Sequence, residues 1–499
     1  MRKYFIISTL LLSGLTTLSP QEIIRLTLDD ALMLAREQSL QAFLNQHYFM
    51  IDYWNYRNYR AYMLPSVSLQ ANPLRYFNTS QLRYNSVTQT EEFIRTENLS
   101  SDMNLNISQR FAPTGGRFFV SSELGRIENF GRFSYTQFSS VPFSIGYRQD
   151  LFGFNEMKWL RKIEPLKFKK AKKEYLESVE DMHVLTVRYF FDVVRAGIRK
   201  EIASTNVENT RNLLQVADNR FRLGTVNREE LLDMRLSQNN AEIELQEAMV
   251  TYRESKERFL SFLMLPDDSE IEAVLPQEII VSEVDALLVL ENATKNNSEI
   301  LQLEQNILEN RRNVAQASAD RHFRANVNIS YGVTKVDGDL QESGSLINVY
   351  RPEFDNHQMI SVGINIPILD WGRNKGVYKI ATSQQQIAEI AAQQRIQQFE
   401  QNAITSAVSF NIRKSRVESA ALSDTLASES YELTMVRFRG GQADVLRLTS
   451  SQRAKDNARL QYINALAQYW DSYFYLRRLT LYDFEKDREL EFNEEELLR

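Results

Sequence analysis

The chain of 499 residues carries 59 Lys and Arg against 65 Asp and Glu, which gives a formal net charge of −6. This acidic balance argues against general affinity for nucleic acid. There is no cysteine, so disulfides, thiolate metal sites, thiol nucleophiles and a lipid-bearing N-terminal cysteine are all excluded. A mean hydropathy of −0.40 excludes a bundle of membrane-spanning helices.

Residues 1–19 have the pattern of a secretory signal. Arg2 and Lys3 form the positive start, residues 5–12 the apolar stretch, and residues 13–19 a small-residue exit. The apolar stretch is shorter than the roughly 20 residues that a spanning helix needs. We therefore predict that the mature chain leaves the cytoplasm, and that any insertion of it into a membrane uses strands.

The rest of the chain is a tandem repeat. RFRLG at 220–224 matches RFRGG at 437–441, and the offset is 441 − 224 = 217 residues. The same offset aligns Tyr252 with Tyr469 and Gly146 with Gly363. Such a repeat spreads one architecture over many residues and lowers the number of independent domains that this length would suggest.

Each repeat opens with an amphipathic helical stretch, at 28–63 and at 284–320, and then changes period. Apolar and polar residues alternate strictly at 327–333, 360–366 and 143–148. This period of two predicts strands, and strands of about 9 to 11 alternating residues are long enough to span a bilayer. A soluble sandwich would show the same local pattern. An added hairpin is predicted in the first repeat, where Leu105 and Ile107 alternate before the turn at 113–116.

A very long helical pattern follows the strands in each repeat, at 155–221 and at 374–438. At 1.5 Å per residue each helix would be about 100 Å long. Turns are predicted at Gly224 and at Gly440–Gly441, with Asn227 and Asp444 as N-caps of the returning helices.

Both returning helices carry a seam with the 4-3 spacing of a coiled coil. Its members are Ala241, Leu245, Ala248, Tyr252, Ser255, Phe259 and Phe262 in the first repeat, and Ala458, Tyr462, Ala465, Tyr469, Ser472, Leu476 and Leu479 in the second. A core stripe of any helical protein would look the same, but its repetition in one register favours a tube of hairpins.

Two confident strands in each repeat predict four strands per chain. An open four-stranded sheet in lipid would leave backbone groups unsatisfied, and barrels in membranes begin at about eight strands. We therefore expect several chains to close one barrel, with their helices continuing its wall.

The chain resembles the TolC-type outer-membrane efflux proteins over nearly its whole mature length. The resemblance rests on the duplicated motifs RFRLGT at 220–225 and RFRGGQ at 437–442, the two seams, LPS at 64–66, and PILDWGR at 367–373 with its counterpart DLFGFN at 150–155. It implies an α+β membrane protein: a homotrimer with a shared transmembrane β-barrel, a periplasmic tunnel of coiled helices and an equatorial belt.

The domain boundaries follow from the repeat and the resemblance together. We predict a signal peptide at 1–19, a first repeat at 20–265, a linker of the belt at 266–282, a second repeat at 283–482 and an acidic tail at 483–499. Within the repeats, strands are expected at about 66–150 and 325–369, and helical hairpins at 155–265 and 374–482.

The resemblance also places function at the hairpin turns, which in the family meet a periplasmic adaptor protein. The candidate docking residues are Leu223, Gly224, Thr225, Gly440, Gly441 and Gln442. An equally weighted reading is that the glycines only allow a tight reversal with positive φ.

Acids beyond the turn ring the closed aperture in many family members. Here Glu229, Glu230 and Asp233 are present in the first repeat, but Arg447 replaces the counterpart of Glu230. A contact between Glu230 and Arg447 would help to hold the tip shut, although an exposed pair contributes only about 0 to 1 kcal/mol. The alternative is an unpaired, solvated face.

No constellation for catalysis, a cofactor or a metal is present. The four histidines, His47, His183, His322 and His357, lack an i, i+4 partner. A lysine run at 167–173 is interpreted as a solvated face near lipid head groups. The sequence thus predicts a passive exit duct, not an enzyme, that works with an adaptor and an inner-membrane pump of RND or ABC type. The rival hypothesis is an exported coiled-coil scaffold without a pore.

Overall fold

The computed structural model describes residues 24–85, 89–130, 134–224, 227–276, 283–342, 345–348, 354–440 and 442–497. The predicted signal segment lies outside these ranges, as do Thr225 and Gly441. Long helices are combined with one large antiparallel sheet, which makes the fold α+β.

Among the described residues, the first repeat and the linker that follows it contain four helices and six strands. In chain order they are β1 (Ile24–Leu26), α1 (Leu28–Gln38), α2 (Leu40–Tyr62), β2 (Ser66–Asn85), β3 (Thr90–Phe111), β4 (Gly116–Phe130), β5 (Tyr135–Leu151), α3 (Glu156–Arg222), α4 (Arg228–Phe262) and β6 (Ile271–Ala273).

The second repeat has the same order of short helices, strands and two long helices, and a short C-terminal segment follows it. Its elements are α5 (Ala286–Asn296), α6 (Ser298–Arg321), β7 (Arg324–Glu342), β8 (Ser345–Asn348), β9 (Asp355–Asn365), α7 (Arg373–Arg439), α8 (Val445–Thr480), β10 (Tyr482–Asp483), β11 (Arg488–Glu489) and α9 (Glu494–Leu497).

The amphipathic stretch that opens each repeat is two helices rather than one. Ser39 separates α1 from α2, and Asn297 separates α5 from α6; both have extended backbones. The hydroxyl of Ser39 accepts a hydrogen bond from the N–H of Ala42 at 3.1 Å, so it caps the second helix. The continuous apolar period had concealed both breaks, since one extended residue hardly disturbs it.

The chain divides into two compact units, and each takes segments from both repeats. The hairpin unit comprises the chain up to Tyr48, Lys173–Asn297 and Glu400 onward. The sheet unit comprises Phe49–Lys172 and Ser298–Phe399.

Six long strands form the sheet of the sheet unit, in the order β2-β3-β4-β5-β7, with β9 paired to the far side of β7. The short β8 pairs with β7 near its end. Our prediction of four strands is therefore wrong. The added hairpin β3–β4 lies between β2 and β5 and is hydrogen-bonded to both. Local alternation in the sequence predicted this hairpin, but only the strand pairing shows that it belongs to the same sheet.

The register gives the sheet one apolar and one polar face. Val67 lies opposite Ile107, Ile107 opposite Val120, and Val120 opposite Ile145. These side chains are 38% to 67% exposed, so no element of the described chain covers them. The polar face is lined mainly by small hydroxyl and amide side chains, among them Ser66, Ser68, Asn106, Ser108, Ser121, Ser144, Asn326, Asn328 and Ser361.

Among the described residues, no helix is both long enough and apolar enough to cross a membrane.

Several members of each predicted seam are buried in the hairpin unit, and the others are partly buried. Ala241, Ser255 and Phe259 of α4 are buried, as are Ala458 and Tyr469 of α8. The two repeats fill equivalent space differently. The ring of Tyr252 packs against Gly197, and a Cβ atom at residue 197 would lie 3.4 Å from that ring. Its counterpart Tyr469 instead packs on the ring of Phe410, with ring centroids 5.2 Å apart.

The end of the hairpin unit that lies away from the turns after α3 and α7 contains short strands and the C-terminal segment. β1 pairs in parallel with β6, and β10 pairs with β11. Lys295 joins Glu489 in an ion pair of 2.6 Å, and Phe492 packs edge-on against Tyr175. These contacts tie the chain ends and part of the linker to the long helices.

A buried ion cluster lies beside this closure. Arg477 of α8 pairs with Glu180 of α3 at 3.0 Å and with Asp483 at 3.4 Å, and Tyr473 donates to Asp483 at 3.1 Å. The side chains of Glu180 and Asp483 are only 3% and 5% exposed. Burial by itself disfavours the ionised carboxylate of Asp483, but the charge of Arg477 and the hydrogen bonds from Tyr473 and from nearby backbone N–H groups together outweigh it. They hold the pKa of Asp483 below its usual value.

This pKa predicts an acid-dependent stability. Because the folded pKa of Asp483 is lowered, its contribution is fully present above the unfolded value of about 3.9 and is lost as pH falls through the folded value. We expect the urea midpoint of unfolding to fall below about pH 4. In Asp483→Asn the midpoint should be lower at pH 7, and the acid decline should be shallower.

Asp181→Asn is the matched control. Asp181 pairs with Arg478, but its side chain is 51% exposed, so its removal should change the free energy of unfolding by about 1 kcal/mol or less. An acid curve of Asp483→Asn parallel to that of the unmodified protein would contradict the assignment.

Candidate functional site at the hairpin turns

Both returning helices begin at the predicted caps. Asn227 accepts a hydrogen bond from the N–H of Glu230 at 2.8 Å, and Asp444 accepts one from the N–H of Arg447 at 2.8 Å. The caps predicted from the sequence are therefore confirmed. Glu230 and Arg447 occupy equivalent positions, because each is the third residue of its returning helix.

The turns themselves differ between the repeats. Gly224 has φ +74 and its N–H bonds to the carbonyl of Phe221 at 2.9 Å. Gly440 lies outside the positive-φ region, and its N–H bonds to the carbonyl of Val436 at 3.0 Å. A need for positive φ thus explains glycine at 224 and does not explain it at 440.

Two leucines are strongly exposed beside these turns. Leu223 was a candidate from the sequence, and Leu446 was not; each is 78% exposed. The structure distinguishes Leu446 from Leu448, which is 1% exposed on the inward face of the same helical turn. Exposed apolar side chains indicate an interaction surface when they form a contiguous patch, so Leu223 and Leu446 are candidates for one.

Apolar contacts hold the two hairpins of one chain together near their tips. Leu231 and Met234 form one cluster with Ala217, and Leu448 forms another with Tyr431 and Phe438. Leu213 and Val445 pack against both clusters. The four helices therefore meet in one continuous apolar layer.

A layer of polar side chains lies next to the apolar layer, farther along the helices from the turns. Asn206 of α3 donates to Asp456 of α8 at 3.1 Å and accepts from Gln452. Arg459 pairs with Asp424 at 3.0 Å. Burial raises the pKa of Asp456, which marks this layer as partly shielded from water.

The predicted aperture charges all face solvent. Glu229, Glu230 and Asp233 are exposed, as is Arg447. Within the described part of the chain, Glu230 and Arg447 form no ion pair with each other, and the carboxylate of Glu230 is approached by the amide of Asn227 at 3.5 Å. Arg447 places positive charge in the first turn of α8, where the helix dipole opposes it.

No group of three His, Asp or Glu in the described ranges could hold a metal ion. His183 lies near Glu180, with Nδ1 3.3 Å from Oε2, and packs on Phe474. It is an interior side chain of the hairpin unit.

The family comparison agrees with this geometry. Residues 289–480, which include most of the second repeat, match the family model of the outer membrane efflux proteins. This part of the chain is an outer membrane efflux protein domain. Our recognition of the family from its motifs is thereby confirmed.

A relative and two solved structures extend the likeness. The chain is 23% identical over 291 residues to the cobalt-zinc-cadmium resistance protein CzcC of Cupriavidus metallidurans, which is 58% of this chain and 65% of that protein. The chain thus spans less than two thirds of that curated relative. It resembles the CmeC outer membrane channel of Campylobacter jejuni with a TM-score of 0.64 and 13% identity, covering 94% of this chain and 88% of that one.

The outer membrane protein VceC of Vibrio cholerae gives a TM-score of 0.60 with 13% identity, covering 93% of this chain and 97% of that one. At such identities the structures share a fold. The fold of this chain is thus that of outer-membrane channels over nearly its whole length, and the family that residues 289–480 match consists of channels rather than enzymes.

The two glycines predict different responses to alanine. Gly224→Ala should lower the free energy of unfolding of the hairpin by about 1 to 2 kcal/mol, because a Cβ is unfavourable at left-handed φ. Nothing lies within 4 Å of that Cβ, so the effect is one of backbone strain.

Gly440→Ala is the matched comparison, because its Cβ would meet only ordinary contacts at 3.6 Å. It should leave the thermal midpoint measured by circular dichroism unchanged or slightly raised. Equal losses in the two variants would show that the turns do not differ as described.

Proposed function

We propose that this chain is the outer-membrane exit duct of a tripartite efflux or type I secretion system. Substrate would pass from an inner-membrane pump and a periplasmic adaptor through the duct to the exterior, and no bond would be made or broken. The observation that carries this proposal is the uncovered apolar face of the sheet.

That face is suited to lipid. Its side chains belong to six long strands paired side by side, and Ile360, Val362 and Ile364 on the terminal strand are 75%, 61% and 64% exposed. A soluble sheet would cover such a face with a helix or a second sheet. Hydrocarbon would cover it here, while the polar face would line water.

The sheet edges support a homotrimer. β2 and β9 each have one long-strand partner in the described chain, so each leaves a row of backbone groups unpaired. Lipid cannot satisfy these groups. Three copies joined edge to edge would close about 18 strands, an even number within the known range of membrane barrels.

The helices support a tunnel in the periplasm. α3 and α7 have 67 residues each, which corresponds to about 100 Å. We propose that the hairpins of three chains form this tunnel, and that 266–282 and the acidic tail at 483–499 belong to its belt. We also propose the domain boundaries predicted from the sequence, with residues 1–19 removed as a signal peptide.

The hairpin turns are the proposed docking site for the adaptor. Leu223, Gly224 and Gln442 are exposed there, with Gly440 beside them, and Thr225 and Gly441 complete the set. The exposed Leu446 extends the same surface. Apolar side chains around a polar turn would give the contact its affinity, because they lose the most by remaining in water.

The aperture charges are proposed to act between chains. Arg447 has no ion pair with any described residue of its own chain, and Glu229, Glu230 and Asp233 point to solvent. In a trimer, Arg447 of one hairpin would meet the acids of another and hold the tip closed until the adaptor binds. Such exposed pairs are individually weak, at about 0 to 1 kcal/mol, which suits a contact that has to open.

A pair of substitutions tests the lipid-facing role of the sheet. Leu69 on the apolar face is 62% exposed, and its neighbour Gln70 on the polar face is also exposed. We expect Leu69→Arg to reduce the amount of folded protein in the outer-membrane fraction, because arginine facing lipid costs about 2 to 4 kcal/mol near the bilayer centre. Gln70→Arg should behave as the unmodified protein.

The measurement is heat-modifiable mobility of the membrane fraction on gels, which reports folded oligomer. Equal recovery of the two variants would argue against lipid at the apolar face. Absence of the unmodified protein from the outer-membrane fraction would favour a scaffold without a pore.

Crosslinking in the native host tests the docking role. Mild periplasmic crosslinking of the tagged chain, followed by mass spectrometry, should recover an adaptor. An accompanying proton-driven RND pump would indicate small-molecule efflux, and an ABC exporter would indicate protein or peptide secretion.

Leu223→Asp should remove the adaptor from this product. The control is Leu287→Asp, because Leu287 is 71% exposed but lies in α5, far along the chain from both turns. Loss of the adaptor in both variants, or in neither, would contradict docking at the turns.

A further inference from the structure

Three arginines stand side by side on the polar face of the sheet. Arg110 of β3 lies directly opposite Arg117 of β4, and Arg117 lies directly opposite Arg148 of β5. Because residues paired across antiparallel strands point to the same face, the three guanidinium groups form one continuous row. We call it the arginine row.

Such a row is unfavourable within the sheet itself. Like charges directly opposite each other destabilise paired strands, yet here two such pairs share the middle residue. The neighbours relieve this repulsion without neutralising it. Arg110 lies over the ring of Tyr62 at 4.1 Å, and Arg148 donates to the side-chain oxygen of Asn328 at 2.7 Å.

No carboxylate of the described residues forms an ion pair with the row, although the charge of Glu156 acts on Arg110 from a greater distance. Asp150 lies two residues along β5 from Arg148, and Glu156 begins α3, but neither forms an ion pair with the row in the described part of the chain. Other cationic side chains of the sheet do have such partners: Arg75 pairs with Asp102 and Arg126 with Glu128. Three adjacent positive charges are therefore left for a ligand from solution.

The opposite face of the same strands shows where the row lies. Three aromatic rings form a row there. The ring centroids of Phe111 and Phe118 are 6.1 Å apart, and those of Phe118 and Tyr147 are 4.4 Å apart. Aromatic rows mark the level at which a membrane sheet meets water. The β3–β4 turn and the start of α3 adjoin this level. The arginine row thus lies at the end of the sheet from which the long helices emerge.

We propose that the arginine row is an anion-binding ring inside the duct, and that the transported substrates include small molecules bearing carboxylate or phosphate groups. The inference rests on the proposed function, since it requires that the polar face line a lumen shared by three chains. Nine guanidinium groups would then surround the passage where it enters the membrane. Rings of Arg or Lys give pores their preference for anions, and guanidinium binds carboxylate and phosphate through paired hydrogen bonds.

The test is conductance of the purified, detergent-extracted oligomer in planar bilayers under a gradient of potassium chloride. The unmodified protein should prefer chloride to potassium, and citrate should block the current. Arg117→Gln removes the middle charge, and we expect it to lower the chloride-to-potassium permeability ratio about fivefold, the effect of one unit charge at about 4 Å in water. Block by citrate should weaken in the same variant.

Two further variants separate charge from folding. Arg126→Gln removes an arginine from the same strand but from the opposite face, and it should leave both the permeability ratio and the block unchanged. Arg117→Lys retains the charge and should retain the chloride preference, although citrate block should weaken because lysine lacks the paired donors. If Arg117→Gln fails to assemble, Arg148→Gln offers the same loss of charge.

The possible outcomes separate failure of the anion ring from failure of the proposed function. If the unmodified oligomer conducts without preferring chloride, or if Arg117→Gln and Arg126→Gln behave alike, the anion ring is overturned and the duct remains. If the unmodified oligomer forms no conducting pathway at all, the proposed function itself is overturned.

Discussion

The cross-strand register of the sheet is the constraint on which the functional reading of this protein depends. Side chains alternate between the two faces with a period of two, so a slip of one residue in any strand would exchange its apolar and polar sets. The six long strands avoid this. Val67, Ile107, Val120 and Ile145 remain on one face across four strands, even though irregularities interrupt the register between Ser121 and Glu123. One face is thereby left apolar and uncovered, and the other polar.

The duplication explains the helical part of the molecule. Both repeats make a helix of 67 residues, a turn and a returning helix, because the same caps and the same seam recur at one offset. The interior is not a copy, however. Tyr252 fits beside the bare backbone of Gly197, whereas Tyr469 packs on the ring of Phe410. Repetition of backbone geometry has left room for different packing inside it.

Asymmetry between the repeats is concentrated where function is proposed. At the turns, equivalent third helical residues carry opposite charges, Glu230 and Arg447. In the sheet, the arginine row belongs entirely to the first repeat, because two of its three strands form a hairpin that has no counterpart among the described residues of the second repeat. A symmetric pair of halves would give each chain two equivalent surfaces, whereas this chain has distinct ones at both places.

The sequence alone determined the features that depend on near neighbours along the chain. The caps at Asn227 and Asp444, the buried seams and the long helices follow from spacing over a few residues, and the repeat could be read by aligning the chain with itself. Leu223 could be named from its motif, whereas Leu446 required the structure to show that its face of the helix is bare.

Only the tertiary structure decided which distant residues meet. It placed the β3–β4 hairpin within the sheet, which raised the strands per chain from four to six, because pairing partners are chosen by the whole sheet. It brought Arg477 and Asp483 to Glu180, almost 300 residues away along the chain, into one buried cluster. It also aligned Arg110, Arg117 and Arg148, since a row across three strands exists only once their register is set.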